Sequence, residues 1–130
     1  PPKSSGRDLF NPAWLEKHLS GNEAAVDVQA TLLELTAMTI SEAIHQHCKT
    51  AHEIYLCGGG ARNSALRRRI ETLLKPAKVA VTDALRIHAE FVEATAFAWL
   101  AQRTMNGQDG NLPAVTGAAG PRILGAIHRA

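Results

Sequence analysis

Over residues 23 to about 48, apolar side chains return in alternating steps of four and three: Val26, Ala30, Leu33, Ala37, Ile40 and Ile44, with Val28, Leu32 and Leu35 widening the stripe. This is one face of a helix, and Asp27, Glu34, Ser41 and His45 fall on the other side. So broad a stripe predicts a long helix laid against a wide surface such as a sheet. Before it, residues 10–19 read as a short helix. Asn11 is its cap, Pro12 takes the first helical position, Trp14, Leu15 and Leu19 are its apolar contacts, and Ser20-Gly21-Asn22 stops it.

The period then shortens. Residues 53–57 predict a strand that runs into Gly58-Gly59-Gly60, and Asn63 is a good N-cap for a helix over 64–74 whose Leu66, Ile70, Leu73 and Leu74 share one face. Pro76 ends that helix. Residues 79–82 predict a second strand, Asp83 opens an irregular connection, and 90–106 predict a third long helix stopped by Gly107. Ala94, Ala96, Ala98 and Ala101 make this helix thin, which predicts close packing on the sheet. After a stretch rich in Gly, Pro and Asn, residues 123–127 predict a last strand. The order helix, strand, helix, strand, helix, strand indicates an α/β fold with a small, mixed or parallel sheet flanked by long helices. Three strands are few for three long apolar helices, and further strands are expected from elsewhere in a longer polypeptide. The turn-like residues 1–7, beginning Pro1-Pro2 without a methionine, point the same way.

Length and composition narrow the classes. The 130 residues amount to one domain with room for a core, and a 45% hydrophobic share is that of a globular chain. A net charge of +2 is too small to indicate a nucleic-acid partner. The one basic cluster, Arg67-Arg68-Arg69, fans across a helix and reads as a solvated face. No run has the length of a membrane span and no signal pattern opens the chain, so a cytoplasmic location is the default expectation. Cys48 and Cys57 are too few for a disulfide scaffold, and Cys57 reads as a buried reduced thiol at a strand end.

The segment from Ile54 to Asn63 carries the chemistry. A strand swinging into a helix around an anionic ligand needs residues that accept positive φ and lack a Cβ, so the triple glycine reads as a nucleotide-binding turn; a plain tight turn would use the same residues. Asp83, just after a strand, is either a ligand-contacting carboxylate or a turn residue. Glu93, in the first turn of an alanine-rich helix, either serves the helix dipole or faces a cleft where it accepts hydrogen bonds from a sugar or water. His45, His47, Cys48 and His52 suggest zinc, but His47 points away from His45 and Cys48 on a helix, and histidines also suit a helix C-terminus; no metal site is expected. Residues 111–118 form either a functional loop or a connector.

The segments PPKSSGRDLFN, CGGGARN, VEATAFAWLAQRTMNGQDGNLPAVTGA and RILGAIH together resemble the carboxy-terminal part of the anhydro-N-acetylmuramic acid kinase family, in order and over nearly the whole chain. The resemblance implies a ribonuclease-H-like fold of the actin, hexokinase and Hsp70 superfamily. It further implies that a parent enzyme opens the 1,6-anhydro ring of anhydro-N-acetylmuramic acid and phosphorylates O6 with ATP and Mg2+, giving N-acetylmuramic acid 6-phosphate in cell-wall recycling. On that reading Gly58, Gly59, Gly60, Ala61 and Asn63 form the adenosine-side loop, and Glu93 faces the sugar and its attacking water. The phosphate loop and the general-base aspartate would belong to a missing amino-terminal lobe, so the isolated chain is expected to be inactive. The amino sugar is the expected substrate and a homodimer the expected assembly. Two residues depart from the family pattern: Arg86 stands where relatives tend to have glycine, and Ser64 where proline is common. The rival reading is a non-catalytic nucleotide-binding or regulatory module.

Overall fold

A computed structural model describes residue 6 and residues 8–128, so the turn segment expected over 1–7 lies outside the described residues apart from Gly6. The carbonyl of Gly6 accepts the N–H groups of Leu9 and Phe10 and leads into α1 (Pro12–Glu16). Asn11 caps this helix, its side-chain oxygen accepting the Trp14 N–H at 2.9 Å. The helix is only five residues long and gives way to turns at Lys17 and His18. Glu23 then closes the corner. Its carboxylate accepts the Ser20 N–H at 2.8 Å, the Ser20 hydroxyl at 2.6 Å and the Gly21 N–H at 3.0 Å, which holds it well below the usual carboxylate range, at about 2.

The long helix α2 (Ala25–His47) follows, as the four-and-three spacing predicts. Its buried face is narrower than the sequence stripe. Ala37 and Ser41 are buried and Leu33 and Ile44 half-buried, whereas Val26, at 71% exposure, and Ile40 face outward. The helix packs along α3 (Ser64–Leu73) instead of lying flat on a sheet. Arg69 of α3 reaches Glu34 of α2 with two hydrogen bonds of 2.6 Å, a paired-fork geometry that fixes direction as well as distance. The arginine cluster is therefore not uniformly solvated: Arg67 and Arg68 are exposed, but Arg69 ties two helices together.

The strands β1 (Glu53–Leu56) and β2 (Lys78–Val81) pair in parallel, Glu53 opposite Lys78 and Leu56 opposite Val81. Helix α3 is the crossover that a parallel pair requires. Ile70 and Leu74, each 2% exposed, join Ala37 in a small core with Ile44, Ile54, Leu56, Leu66 and Val79 around it. Cys57 falls just beyond the strand and is exposed, which corrects the expectation of a buried thiol: the ladder ends at Leu56, one residue before it.

Two short 3-10 turns, Thr82–Leu85 and Ala89–Phe91, lead into α4 (Val92–Met105). Asp83 acts within this connection, its carboxylate accepting the Ala89 N–H at 3.1 Å. Arg86 takes a left-handed conformation, φ 61°. Helix α4 departs from expectation, since it buries no residue and leaves Phe97 64% exposed, so its alanine face does not lie on the sheet. The strand expected over 123–127 is also absent, and the sheet has two strands among the described residues. Side chains take the place of a ladder there. Asn111 receives the Arg122 N–H at 2.6 Å and donates to the Gly120 carbonyl at 3.1 Å, while the Thr104 hydroxyl reaches the Leu124 carbonyl. Residues 111–118 contain one short helix, α5 (Pro113–Thr116), ended by Gly117 in the left-handed region. Among the described residues, no helix is long and apolar enough to cross a membrane.

The position of the core sets the first prediction. Ile70→Ala should lower the unfolding free energy by roughly 2–5 kcal/mol in urea titrations, whereas Phe97→Ala should change it by less than about 0.5 kcal/mol. A second follows from Glu23. A carboxyl whose folded value is depressed adds stability that is complete above its ordinary value of 4.5 and is lost as pH falls towards about 2. Fluorescence of Trp14, followed in a Trp99→Phe background, should report loosening of the α1–α2 corner in that window, and Glu23→Gln should abolish the transition.

Candidate functional site

A parallel pair releases both of its strands at the same end. Cys57-Gly58 and Thr82-Asp83 therefore leave side by side, at the carboxyl ends of the strands, where open α/β sheets hold their ligands. Gly58 turns the chain there with φ 74° and ψ −175°, a region open essentially to glycine alone. Its N–H donates to the Ala89 carbonyl at 2.8 Å, so the glycine turn is joined to the segment that enters α4. Gly59–Arg62 then form a 3-10 turn, and the Asn63 side-chain oxygen caps α3 by accepting the Ala65 and Leu66 N–H groups, both at 3.1 Å.

Between these segments lies a cavity of about 440 Å³. Cys57, Gly58 and Gly59 form one wall, and Ala89, Glu90, Val92, Glu93 and Ala96 the other. Of the residues singled out from sequence, Gly58, Gly59 and Glu93 thus share one cavity. Gly60 is not part of its lining, Ala61 is buried beneath the turn, and Asn63 is engaged in capping. Glu93 sits in the first turn of α4, is exposed, and forms no ion pair among the described residues. The N-terminal end of the helix favours its negative charge.

The three glycines are not equivalent. Gly58 is required by its own backbone. Gly59 and Gly60 have no left-handed φ, and a Cβ built on either would meet nothing within 4 Å. Among the described residues nothing therefore requires glycine at these two positions, and the space above them is open. This separates the two uses of the motif: a plain tight turn needs Gly58 alone.

Sequence reasoning missed several contributors. Cys57, Glu90, Val92 and Ala96 line the cavity, and Glu90 also pairs with Arg62 at 2.7 Å. The spacing of Glu90 and Glu93, three apart around a helix start, was the available signal for a common face. His45, Cys48 and His52 line a different cavity, of about 420 Å³, at the amino-terminal ends of the strands, and His47 is not part of it. Among the described residues, no group of three or more His, Cys, Asp or Glu side chains is arranged to hold a metal ion.

Comparison with known proteins adds to this geometry. The sequence model of one family, Anhydro-N-acetylmuramic acid kinase, matches residues 1–130. Curated proteins of that name are similar to the chain throughout: one from Nitrosospira multiformis is 54% identical over 130 residues, one from Thiobacillus denitrificans 55% over 133, and one from Nitrosomonas europaea 51% over 130. Each match covers the whole of this chain and 36% of the relative, so the chain spans about a third of the length of those proteins.

The difference between the glycines can be measured directly. Gly58→Ala should lower stability by roughly 1–3 kcal/mol through backbone strain. Gly59→Ala should leave the thermal transition within about 0.5 kcal/mol of the parent's.

Proposed function

Because the chain belongs to the anhydro-N-acetylmuramic acid kinase family, we propose that it supplies the adenosine-side turn and one sugar-facing carboxylate of a longer sugar kinase. In this reading the polypeptide is two-lobed and ribonuclease-H-like, and residues 1–130 form the carboxy-terminal portion. It opens the 1,6-anhydro ring of anhydro-N-acetylmuramic acid and phosphorylates O6 with ATP, giving N-acetylmuramic acid 6-phosphate in the cytoplasm. The observation that carries the proposal is the cavity shared by Gly58, Gly59 and Glu93, with side chains omitted at Gly59 and Gly60 where nothing among the described residues requires it.

The residues fit a nucleotide better than a metal. An open glycine turn at the carboxyl end of a strand suits the close approach of a bulky anion to the backbone. Magnesium, when bound, would offset phosphate charge, but the described residues provide no ligand cluster for it, and its site in this reading lies on the nucleotide and on residues elsewhere in the longer chain. Glu93 would accept a hydrogen bond from the sugar or from the water that attacks it. A second copy of the chain and the remaining lobe are the partners proposed with this reading.

The test uses the longer polypeptide, with ATP and the anhydro sugar supplied together. The parent should consume ATP only when the sugar is present, and Glu93→Gln should reduce kcat/KM by roughly 10- to 100-fold, the scale of a lost hydrogen bond to a charged group. Gly59→Val should keep its thermal transition but lose nucleotide binding, because the branched side chain fills the space above the turn. A regulatory module would show no sugar-dependent ATP consumption in any form. Turnover by residues 1–130 alone would contradict the division of the site between two lobes.

A further inference from the structure

The 3-10 turn that follows Gly58 is only four residues long, and both of its ends are tied to one neighbour. At its start, the Gly58 N–H donates to the Ala89 carbonyl at 2.8 Å. At its end, the Arg62 guanidinium meets the Glu90 carboxylate at 2.7 Å. Ala89 and Glu90 are adjacent residues of the Ala89–Phe91 turn, and that turn passes directly into α4, with Glu93 in the first helical turn. The anchor is itself held from behind, since Asp83 accepts the Ala89 N–H at 3.1 Å. The turn is held on its own side by buried Ala61 and by the α3 cap at Asn63, and these two ties join that unit to the start of α4.

The two ties differ in kind. The one at Gly58 is made by the backbone and survives any side-chain change at Arg62 or Glu90. The other is a surface ion pair, with Arg62 70% and Glu90 39% exposed, and such pairs add little to global stability. Its effect is therefore local: it adds a second tie between the glycine turn and the start of α4, beside the hold that buried Ala61 and the Asn63-capped α3 already give the turn. The pair also lies beside the cavity, because Glu90 is in the lining together with Glu93.

We propose that Arg62 and Glu90 are positioning residues that clamp the glycine turn to the start of α4, so that a nucleotide on the turn and an amino sugar at Glu93 each affect the binding of the other. This rests on the reading of the cavity given above and adds to it a coupling between the two ligands. Displacement of the turn by a nucleotide is passed to Glu93 through three residues of chain, with no large rearrangement needed.

The experiment measures coupling rather than activity. In the full-length kinase, the affinity for 1,6-anhydro-N-acetylmuramic acid is measured with and without a non-hydrolysable ATP analogue and magnesium; the ratio of the two constants is the coupling factor. The parent should show a factor of roughly five or more, the lower end of typical coupling between sites. Arg62→Ala and Glu90→Ala should each bring it close to one while their thermal transitions stay near the parent's. The double exchange Arg62→Glu with Glu90→Arg should restore most of it, and Arg67→Ala, which removes a nearby exposed charge, should leave it unchanged. Amide exchange over 92–96 should slow on analogue binding in the parent and much less in the single variants. Parent-like coupling in both alanine variants, or a double exchange no better than either single one, overturns the inference while leaving the nucleotide site intact. A parent that binds no ATP analogue overturns the site and the clamp together.

Discussion

The parallel pairing of Glu53–Leu56 with Lys78–Val81 is the constraint on which the rest of the structure depends. A parallel pair cannot be closed by a hairpin, so the chain between the strands must cross over the sheet, and α3 is that crossing. Ile54, Leu56 and Val79 supply the apolar surface it covers, and Ile70 and Leu74 are the residues it buries there. The same pairing brings the ends of both strands together. The glycine turn after β1 and the Asp83 turn after β2 are neighbours because the strands run the same way, and the cavity containing Glu93 exists because they are neighbours.

Burial is concentrated on this unit. Helix α2 joins it through Ala37, Ser41 and Ile44, and the Glu34–Arg69 fork fixes how the two helices lie against one another. Beyond the strands, Asn111 bonds residues 120 and 122 and Thr104 of α4 bonds the Leu124 carbonyl, while Phe97, Trp99, Leu124 and Ile127 stay exposed. The difference is one of partners: Leu66, Ile70 and Leu73 of α3 pack in the cluster that contains the strand residues Ile54, Leu56 and Val79, whereas α4 buries no residue among the described residues.

What could be read from the sequence follows the same division. Helices with a clear period and a chemical stop were legible within a residue or two: α2 from its spacing, α3 from the Asn63 cap and the Lys75-Pro76 break, α4 from Gly107. The short strands were legible because they sit between such stops. Residues 123–127 misled because an apolar run indicates burial without saying by what, and here the Thr104 hydroxyl bonds the Leu124 carbonyl while no strand pairs with the run among the described residues. Cys57 misled for a related reason, since one residue beyond a ladder is enough to leave the core. The meeting of Gly58, Gly59 and Glu93 was indicated by family resemblance but not by spacing, because 34 positions of chain separate Gly59 from Glu93 and only the sheet folds that distance away. The Arg62–Glu90 pair was invisible for the same reason.

Arg86 gives the connection before α4 a thermodynamic character of its own. It stands at φ 61°, where an L-residue has one narrow well and glycine would have broad ones. The arginine therefore accepts a local penalty in the folded chain and, in exchange, leaves the unfolded segment fewer conformations to give up. The connection reaches its folded shape with a smaller loss of entropy and a less favourable enthalpy than a glycine would bring. Its order should accordingly fade more slowly on warming than that of the same loop with glycine, because the term that grows with temperature is the smaller one.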